Sequence, residues 1–224
     1  MRGGFTTKIV AISDIHGHPE GRSMIDSIIE ALSPDLLVIC GDITTFGPAS
    51  YAESILTGLN VMCAAIPGNC DPDDVLQVIE KYSISLHGKK EVIGGIQFVG
   101  IGGAPCCSFT TPRELADEEI DSLLSPVMAE GCVLVTHAPP LGTLDLTKSG
   151  KRLGSKVVAD YVSRFKPRLV LSGHVHEDRG VVENGSTVFA NPGPLKDGQV
   201  VVAELSGGKT NASIVDMSAR FKVH

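Results

Sequence analysis

The 224-residue chain has no tryptophan, and aromatic residues make up 4% of it. Proteins that hold single-stranded nucleic acid combine aromatic stacking platforms with a basic groove. Nor does the charge pattern suggest a basic groove: 19 Lys+Arg stand against 26 Asp+Glu, the formal net charge is -7, and no Lys/Arg block occurs, which leaves room for a local basic patch. Strong nonspecific affinity for nucleic acid or an anionic membrane surface is therefore not expected. No apolar run approaches the ~20 residues that a membrane helix needs. The MRGGFTT segment ahead of the first strand is too short for the apolar region of a signal peptide, so a cytoplasmic location is expected. The six cysteines contain no C-x-x-C pair; Cys40 and Cys63 lie inside apolar runs, and Cys106 and Cys107 are adjacent. Buried free thiols fit this pattern better than disulfides or a thiolate zinc site. Nor do the 25 glycines and 13 prolines gather into a linker-like tract. They fall mostly between apolar runs, where they end elements. With 42% hydrophobic residues, the chain can bury one substantial core, and a single domain over 1–224 is expected.

The apolar runs set the order of elements. Strands near 8–13, 36–40 and 61–66 alternate with helices near 20–32, 48–58 and 72–81, the pattern of βαβ units on a parallel sheet. EVIGGIQFVGIGG reads as two short strands around Gly94-Gly95, and a helix is predicted from Ala116 to about Met128. Two strands ending in THAPP and SGHVH follow, with a helix near 155–164 between them. VVENGSTVFA predicts a hairpin turning at Asn184-Gly185, and β runs near 199–205 and 212–216 complete a second, antiparallel set of strands.

Five of these strands end in the same kind of residue. KIVAIS precedes Asp14 and His16, LLVIC precedes Asp42, VMCAAI precedes Asn69, CVLVT precedes His137, and LVLS precedes His174 and His176. A buried strand needs only apolar residues. A repeated switch to Asp, Asn and His points to one shared site, because open α/β sheets bind ligands outside the carboxyl ends of their strands. Carboxylates, an amide and imidazoles gathered there have the chemistry of a metal centre. Each motif alone has a plainer reading, since an Asp after a strand is commonly a helix cap and a single His a hydrogen-bonded core residue. Their joint order makes coincidence a poor explanation.

The ordered set Asp14-Ile15-His16-Gly17, Gly41-Asp42, Gly68-Asn69-Cys70-Asp71, Thr136-His137-Ala138-Pro139-Pro140 and Gly173-His174-Val175-His176 resembles the calcineurin-like metallophosphoesterases, in particular small single-domain bacterial and archaeal ones. The resemblance spans nearly the whole chain. It implies an α/β fold, a four-layer α-β-β-α sandwich of two mixed sheets flanked by helices. It also implies two divalent metal ions, with Asp14, His16 and His176 on one, Asn69, His137 and His174 on the other, and Asp42 bridging. Asp42, Asn69 and His137 are expected to be catalytic as well as ligating. Mn is the expected metal, with Fe, Zn or Ni as alternatives. The implied reaction is hydrolysis of a small-molecule phosphate ester, a diester before a monoester, by a hydroxide bridging two metals. A non-catalytic metal-binding scaffold of the same fold and a nuclease are the alternatives, and a homo-oligomer is compatible with the sequence.

One position departs from the family pattern. Many members carry a histidine directly after the ligand asparagine, and this chain has Cys70, a poorer proton donor than imidazolium. Four residues are candidates for contact with substrate or with the ligands: Cys70, His18, Ser108 and Thr110. For His18 a solvent-facing place at a helix start is the plainer reading; for the loop holding Ser108 and Thr110 an ordinary surface loop serves equally well. His87 reads as structural and Asp71 as a cap on the helix after Asn69, with Pro72 in its first turn. Lys148, Lys151 and Arg152 read as a solvated basic cluster with phosphate contact as the alternative, and Asn191-Pro192-Gly193 as a turn closing over the site edge.

Overall fold

The computed structural model describes residues 6–106 and 110–221. Its strands in the first half are β1 (Thr7–Ile12), β2 (Leu36–Ile39), β3 (Cys63–Ala65), β4 (Ile84–Ser85), β5 (Lys89–Ile93), β6 (Ile96–Ile101) and the short β7 (Ala104–Pro105). They are followed by β8 (Glu114–Leu115), β9 (Val133–Thr136), β10 (Leu169–Leu171), β11 (Gly180–Asn184), β12 (Thr187–Asn191), β13 (Gln199–Ser206) and β14 (Lys209–Asp216). The helices are α1 (Gly21–Leu32), α2 (Ala49–Leu56), α3 (Asp73–Tyr82), α4 (Asp117–Leu124) and α5 (Lys156–Phe165).

Two six-stranded sheets form, with strand orders β14-β13-β1-β2-β3-β4 and β11-β12-β10-β9-β6-β5. Both are mixed: in the first, β1 to β4 pair in parallel and the antiparallel pairs β1–β13 and β13–β14 lie on one side; in the second, parallel pairing from β12 to β6 fills the middle and an antiparallel pair stands at each edge. The strands read as continuous apolar runs because both of their faces are covered. Alternate residues such as Ile9, Val38 and Val201 of the first sheet meet Phe98, Val135 and Leu171 of the second in one core. The other faces bury Val10, Leu37 and Ile39 under α1, α2 and α3, and Val99, Leu134 and Val170 under α4 and α5. The result is the four-layer α-β-β-α sandwich of two mixed sheets that the family resemblance implies.

Local chemistry explains the helices. In α1 the residues Gly21, Met24, Ile25 and Ile28 are buried, the i, i+3, i+4, i+7 stripe that faces a core; each large side chain contributes about 1.5–3 kcal/mol on burial. Helix α5 starts where the Ser155 hydroxyl accepts the Val158 N–H at 3.2 Å, an N-cap. Helix α4 stops at Leu124, short of the predicted Met128. Pro126 has no N–H to offer the carbonyl of Ser122, so the helical ladder breaks there.

Three other expectations change. The last strands do not form a separate antiparallel sheet: the β11–β12 hairpin joins the second sheet and β13–β14 the first. Asn184 pairs with Thr187, so the two-residue turn is Gly185-Ser186, with Gly185 at φ 62°, rather than Asn184-Gly185. Of the cysteines, Cys40, Cys63 and Cys132 are buried free thiols, whereas Cys70 is half-buried and Cys106 exposed. Cys107 lies outside the described residues. No helix among the described residues is long and apolar enough to cross a membrane.

Candidate metal centre

Parallel pairing places the five motif-bearing strand ends side by side. Ile12 of β1 pairs with Ile39 of β2, and Ile39 with Ala65 of β3. In the facing sheet Val135 of β9 pairs with Leu171 of β10. The loops beyond these ends are joined by backbone bonds: Asp14 N to Gly41 O at 3.1 Å, His16 N to Asp42 O at 2.9 Å, and Gly173 N, from the second sheet, to His137 O at 3.0 Å. The crossing between sheets is close. A Cβ on Gly41, whose φ is 98°, would fall 2.6 Å from His137 Nδ1, so only glycine fits this position.

Four of the seven candidate ligands take the left-handed backbone region: Asp14 at φ 54°, His16 at 51°, Asp42 at 50° and His174 at 66°. Such conformations cost about 1–3 kcal/mol each and persist where the surroundings over-determine them. Here the loop-to-loop bonds do so.

All seven candidates come together. His176 Nε2 is 3.2 Å from Asp14 Oδ1 and 3.3 Å from His16 Nε2. His137 Nε2 is 2.9 Å from Asn69 Oδ1, and the His137 and His174 rings lie 5.1 Å apart between centroids. Asp42 stands between the two groups, with Oδ2 3.5 Å from His16 Nε2 and 3.4 Å from His137 Nε2.

Asp14 and Asp42 are buried, and their ion-pair partners among the described residues are histidines. Burial would raise the Asp14 pKa; the His176 hydrogen bond and the nearby imidazoles hold it below the usual carboxylate range. His137 feels burial as well, yet the Asp42 and Asp14 carboxylates raise its pKa to about 9. For His174 burial and the neighbouring His137 lower it to about 4. Buried acids that lack lysine or arginine partners, set among imidazoles, favour a cation between them.

The donor set fits divalent ions. Ligand atoms of Asp14, His16 and His176, and those of Asp14, Asp42 and His137, lie within 4.8 Å of one another, the spacing that donors about 2.0–2.2 Å from a shared ion adopt. Outer partners orient the rings, as metal-binding histidines require. His137 Nδ1 meets the Cys40 carbonyl at 2.8 Å, and His16 Nδ1 meets Thr45 Oγ1 at 3.1 Å.

The other candidates separate. Cys70 is at the site: its N–H donates to Asp42 Oδ1 at 2.8 Å, and its sulfur lies within 4.8 Å of ligand atoms of His16 and Asp42. His18 makes a local turn, its Nδ1 accepting from Glu20 N at 3.2 Å. Thr110 is exposed, and Ser108 lies outside the described residues.

Asp71 does not cap α3, whose N-cap is Pro72 with no side-chain bond. Its carboxylate turns inward and accepts from Ile43 N, Thr44 N, Thr44 Oγ1 and Gly68 N at 2.7–3.0 Å, tying the Asp42 loop to the Asn69 loop. Burial and the Asp42 charge raise its pKa against the pull of those backbone donors. Asn191 is the buried last residue of β12; its side chain accepts the Gly193 N–H at 2.9 Å in the turn that follows and also supports the loop that carries His174 and His176. These supporting residues escape a motif reading because their partners are backbone groups. A polar residue beside a ligand motif is the one signal the sequence offers, and it marks Asp71 only.

Residues 7–178 match the model of the calcineurin-like phosphoesterase family. An uncharacterized protein of Methanocaldococcus jannaschii is 34% identical over 220 residues, covering 89% of this chain and 97% of that protein. Among solved structures, TT1561 of Thermus thermophilus is similar with a TM-score of 0.70 at 16% identity, over 93% of this chain and 99% of that one. A novel archaeal phosphodiesterase is similar with a TM-score of 0.53 at 16% identity, over 93% and 99%. With the family's motifs converging at one strand edge of its fold, the chain belongs to the calcineurin-like phosphoesterases.

Proposed function

We propose that this phosphoesterase hydrolyses phosphodiesters with two divalent ions, Mn before Fe, Zn or Ni. Asp14, His16 and His176 would hold one ion, Asn69, His137 and His174 the other, and Asp42 both. The observation that carries this reading is the position of Asp42 Oδ2, 3.5 Å from His16 Nε2 and 3.4 Å from His137 Nε2. Bound ions of this kind supply Lewis acidity towards phosphoryl oxygens and a nucleophile at neutral pH.

The chain's own residues do the positioning. The Cys70 N–H fixes one oxygen of Asp42 and leaves the other for the ligand cluster. The Cys40 carbonyl holds a hydrogen on His137 Nδ1, so Nε2 is the nitrogen that would ligate, giving up its proton as an ion binds. Asn69 adds an oxygen without adding charge.

One feature supports a diester. Cys70, whose thiol pKa is raised by burial and by the Asp42 charge, supplies no strong acid to a leaving group. The archaeal neighbour described as a phosphodiesterase is in keeping with this reading, although that likeness is one of fold.

The test is hydrolysis of bis(4-nitrophenyl) phosphate and 4-nitrophenyl phosphate by Mn-loaded protein. Faster turnover of the diester, abolished by chelation and restored by Mn, is expected. A faster monoester would overturn the diester assignment. No turnover with Mn, Fe, Co, Ni or Zn would favour the scaffold reading.

A further inference from the structure

The segment from Asp145 to Leu153, between the His137 motif and α5, is closely tied down. Asp145 is fully buried and accepts from the Arg152 guanidinium and from Gly142 N. Leu153 N donates to the Asp145 carbonyl at 2.9 Å and Thr147 N to the Lys151 carbonyl at 2.9 Å. The Thr147 hydroxyl also accepts from Lys151 N at 3.0 Å. Leu146 N donates to Asp178 Oδ2 at 2.8 Å, two residues beyond His176. The loop is thereby fixed relative to the His174–His176 segment.

Between this loop and the candidate metal centre lies a cavity of about 380 Å³, whose lining includes Lys151, Arg152, Cys106 and the candidate ligand His174. Its charge is unlike that of the centre. Lys151 and Arg152 are exposed, and Lys151 has no ion-pair partner among the described residues. Arg152 commits one nitrogen to Asp145, which fixes the guanidinium, and five N–H donors on this side chain leave others to face a ligand. In a chain of net charge -7, Lys151 and Arg152, with Asp145 offsetting one of their charges, leave a net positive wall on a cavity that reaches His174, a local reversal of sign.

We infer that this cavity is a subsite for an anionic group, a carboxylate or a second phosphate, carried on the organic arm of the phosphate ester. The inference rests on the proposed function only in placing the reacting phosphate at the ligand cluster. His174 belongs to both walls, so an ester seated on the cluster has its arm within reach of Lys151 and Arg152. Fixed Arg and mobile Lys together suit an anion: the planar fork sets direction and the ammonium adds charge.

The experiment uses two phosphonates, whose C–P bond an ester hydrolase does not cleave, so binding is read whether or not esters are turned over. Calorimetric titration of Mn-loaded protein with phenylphosphonate and 3-carboxyphenylphosphonate gives a ratio of affinities for each variant. The carboxylated probe should bind about tenfold more tightly to wild type at low salt, the scale of one charge-assisted hydrogen bond. That ratio should fall to about twofold in Lys151→Gln, reverse in Lys151→Glu, and fall part of the way in Arg152→Lys, which keeps the charge opposite Asp145 but loses the planar fork. It should also shrink with added salt. Equal affinities in wild type, or a ratio untouched by Lys151→Glu, would overturn the subsite. An intact ratio together with no ester turnover would instead remove the hydrolase reading and leave the subsite standing.

Discussion

The side-chain amide of Asn191 donates to the Val175 carbonyl at 2.9 Å, midway between the candidate ligands His174 and His176. The same nitrogen is 3.3 Å from the Asp178 carbonyl, and the amide oxygen accepts from Gly193 N at 2.9 Å. One buried residue of β12 therefore holds the loop on which two imidazoles depend.

Asn191→Ala should lower stability by about 1–3 kcal/mol, the cost of leaving buried partners unpaired, and weaken metal binding by about 10–100-fold, as loss of an outer support does. Metal titration alongside thermal unfolding separates the two. A lower melting temperature with wild-type metal affinity would mean that Asn191 serves the fold alone.

His87 gives the fold a defined acid sensitivity away from the centre. Its Nδ1 accepts the Gly102 N–H at 2.9 Å, and burial, then the Arg113 charge, lower its pKa from 6.5 to about 4. As pH falls from 6.5 towards 4 the unfolded chain takes up a proton that the folded chain refuses, so stability is lost across that window and unaffected above it. The stability advantage of wild type over His87→Gln should narrow by about 2 kcal/mol between pH 7 and pH 4.5. Denaturant melts at the two pH values measure it, and parallel acid limbs would show that His87 does not carry the effect.

Cys70 stands where many relatives have histidine, with its N–H committed to Asp42 and its thiol pKa raised by burial and the Asp42 charge. Without a strong proton donor, the rate should fall steeply as the leaving-group pKa rises. Cys70→His should speed esters of poor alkoxide leaving groups most, recovering part of the ~10²–10⁴-fold that general acids supply. Cys70→Ser should cost little. Rates across a series of aryl and alkyl diesters decide the point: a flat dependence in a chemistry-limited step, or a large loss in Cys70→Ser, would give the thiol an active role.

What the sequence discloses here is what side-chain type and order can encode. The switch from apolar run to Asp14, Asp42, Asn69, His137 and His174 marks the ends of buried parallel strands, so both the sandwich and the cluster could be read. Backbone-mediated features could not. The Asn184-Gly185 pair signals a hairpin, but the cross-strand register set by β12 moves the turn to Gly185-Ser186. Asp71 has the composition of a cap, and only the approach of two separate loops shows that it accepts from Ile43, Thr44 and Gly68 instead. The edge strand β4, two residues long, has too few positions to show a period. The left-handed φ of Asp14, His16, Asp42 and His174 has only a weak signature, because Asp and His enter that region more readily than most residues but are uncommon there even so.

The most direct test of the metal centre is the number of ions bound per chain. Elemental analysis of Mn-reconstituted wild type, after removal of loosely held ions, should give close to two, the stoichiometry of a two-metal site. Asp42→Asn should weaken both, since the Asp42 carboxylate lies between the His16 and His137 groups, while His176→Ala should weaken chiefly one. Wild type that saturates at a single ion, or Asp42→Asn that binds both as wild type does, would contradict an Asp42-bridged pair.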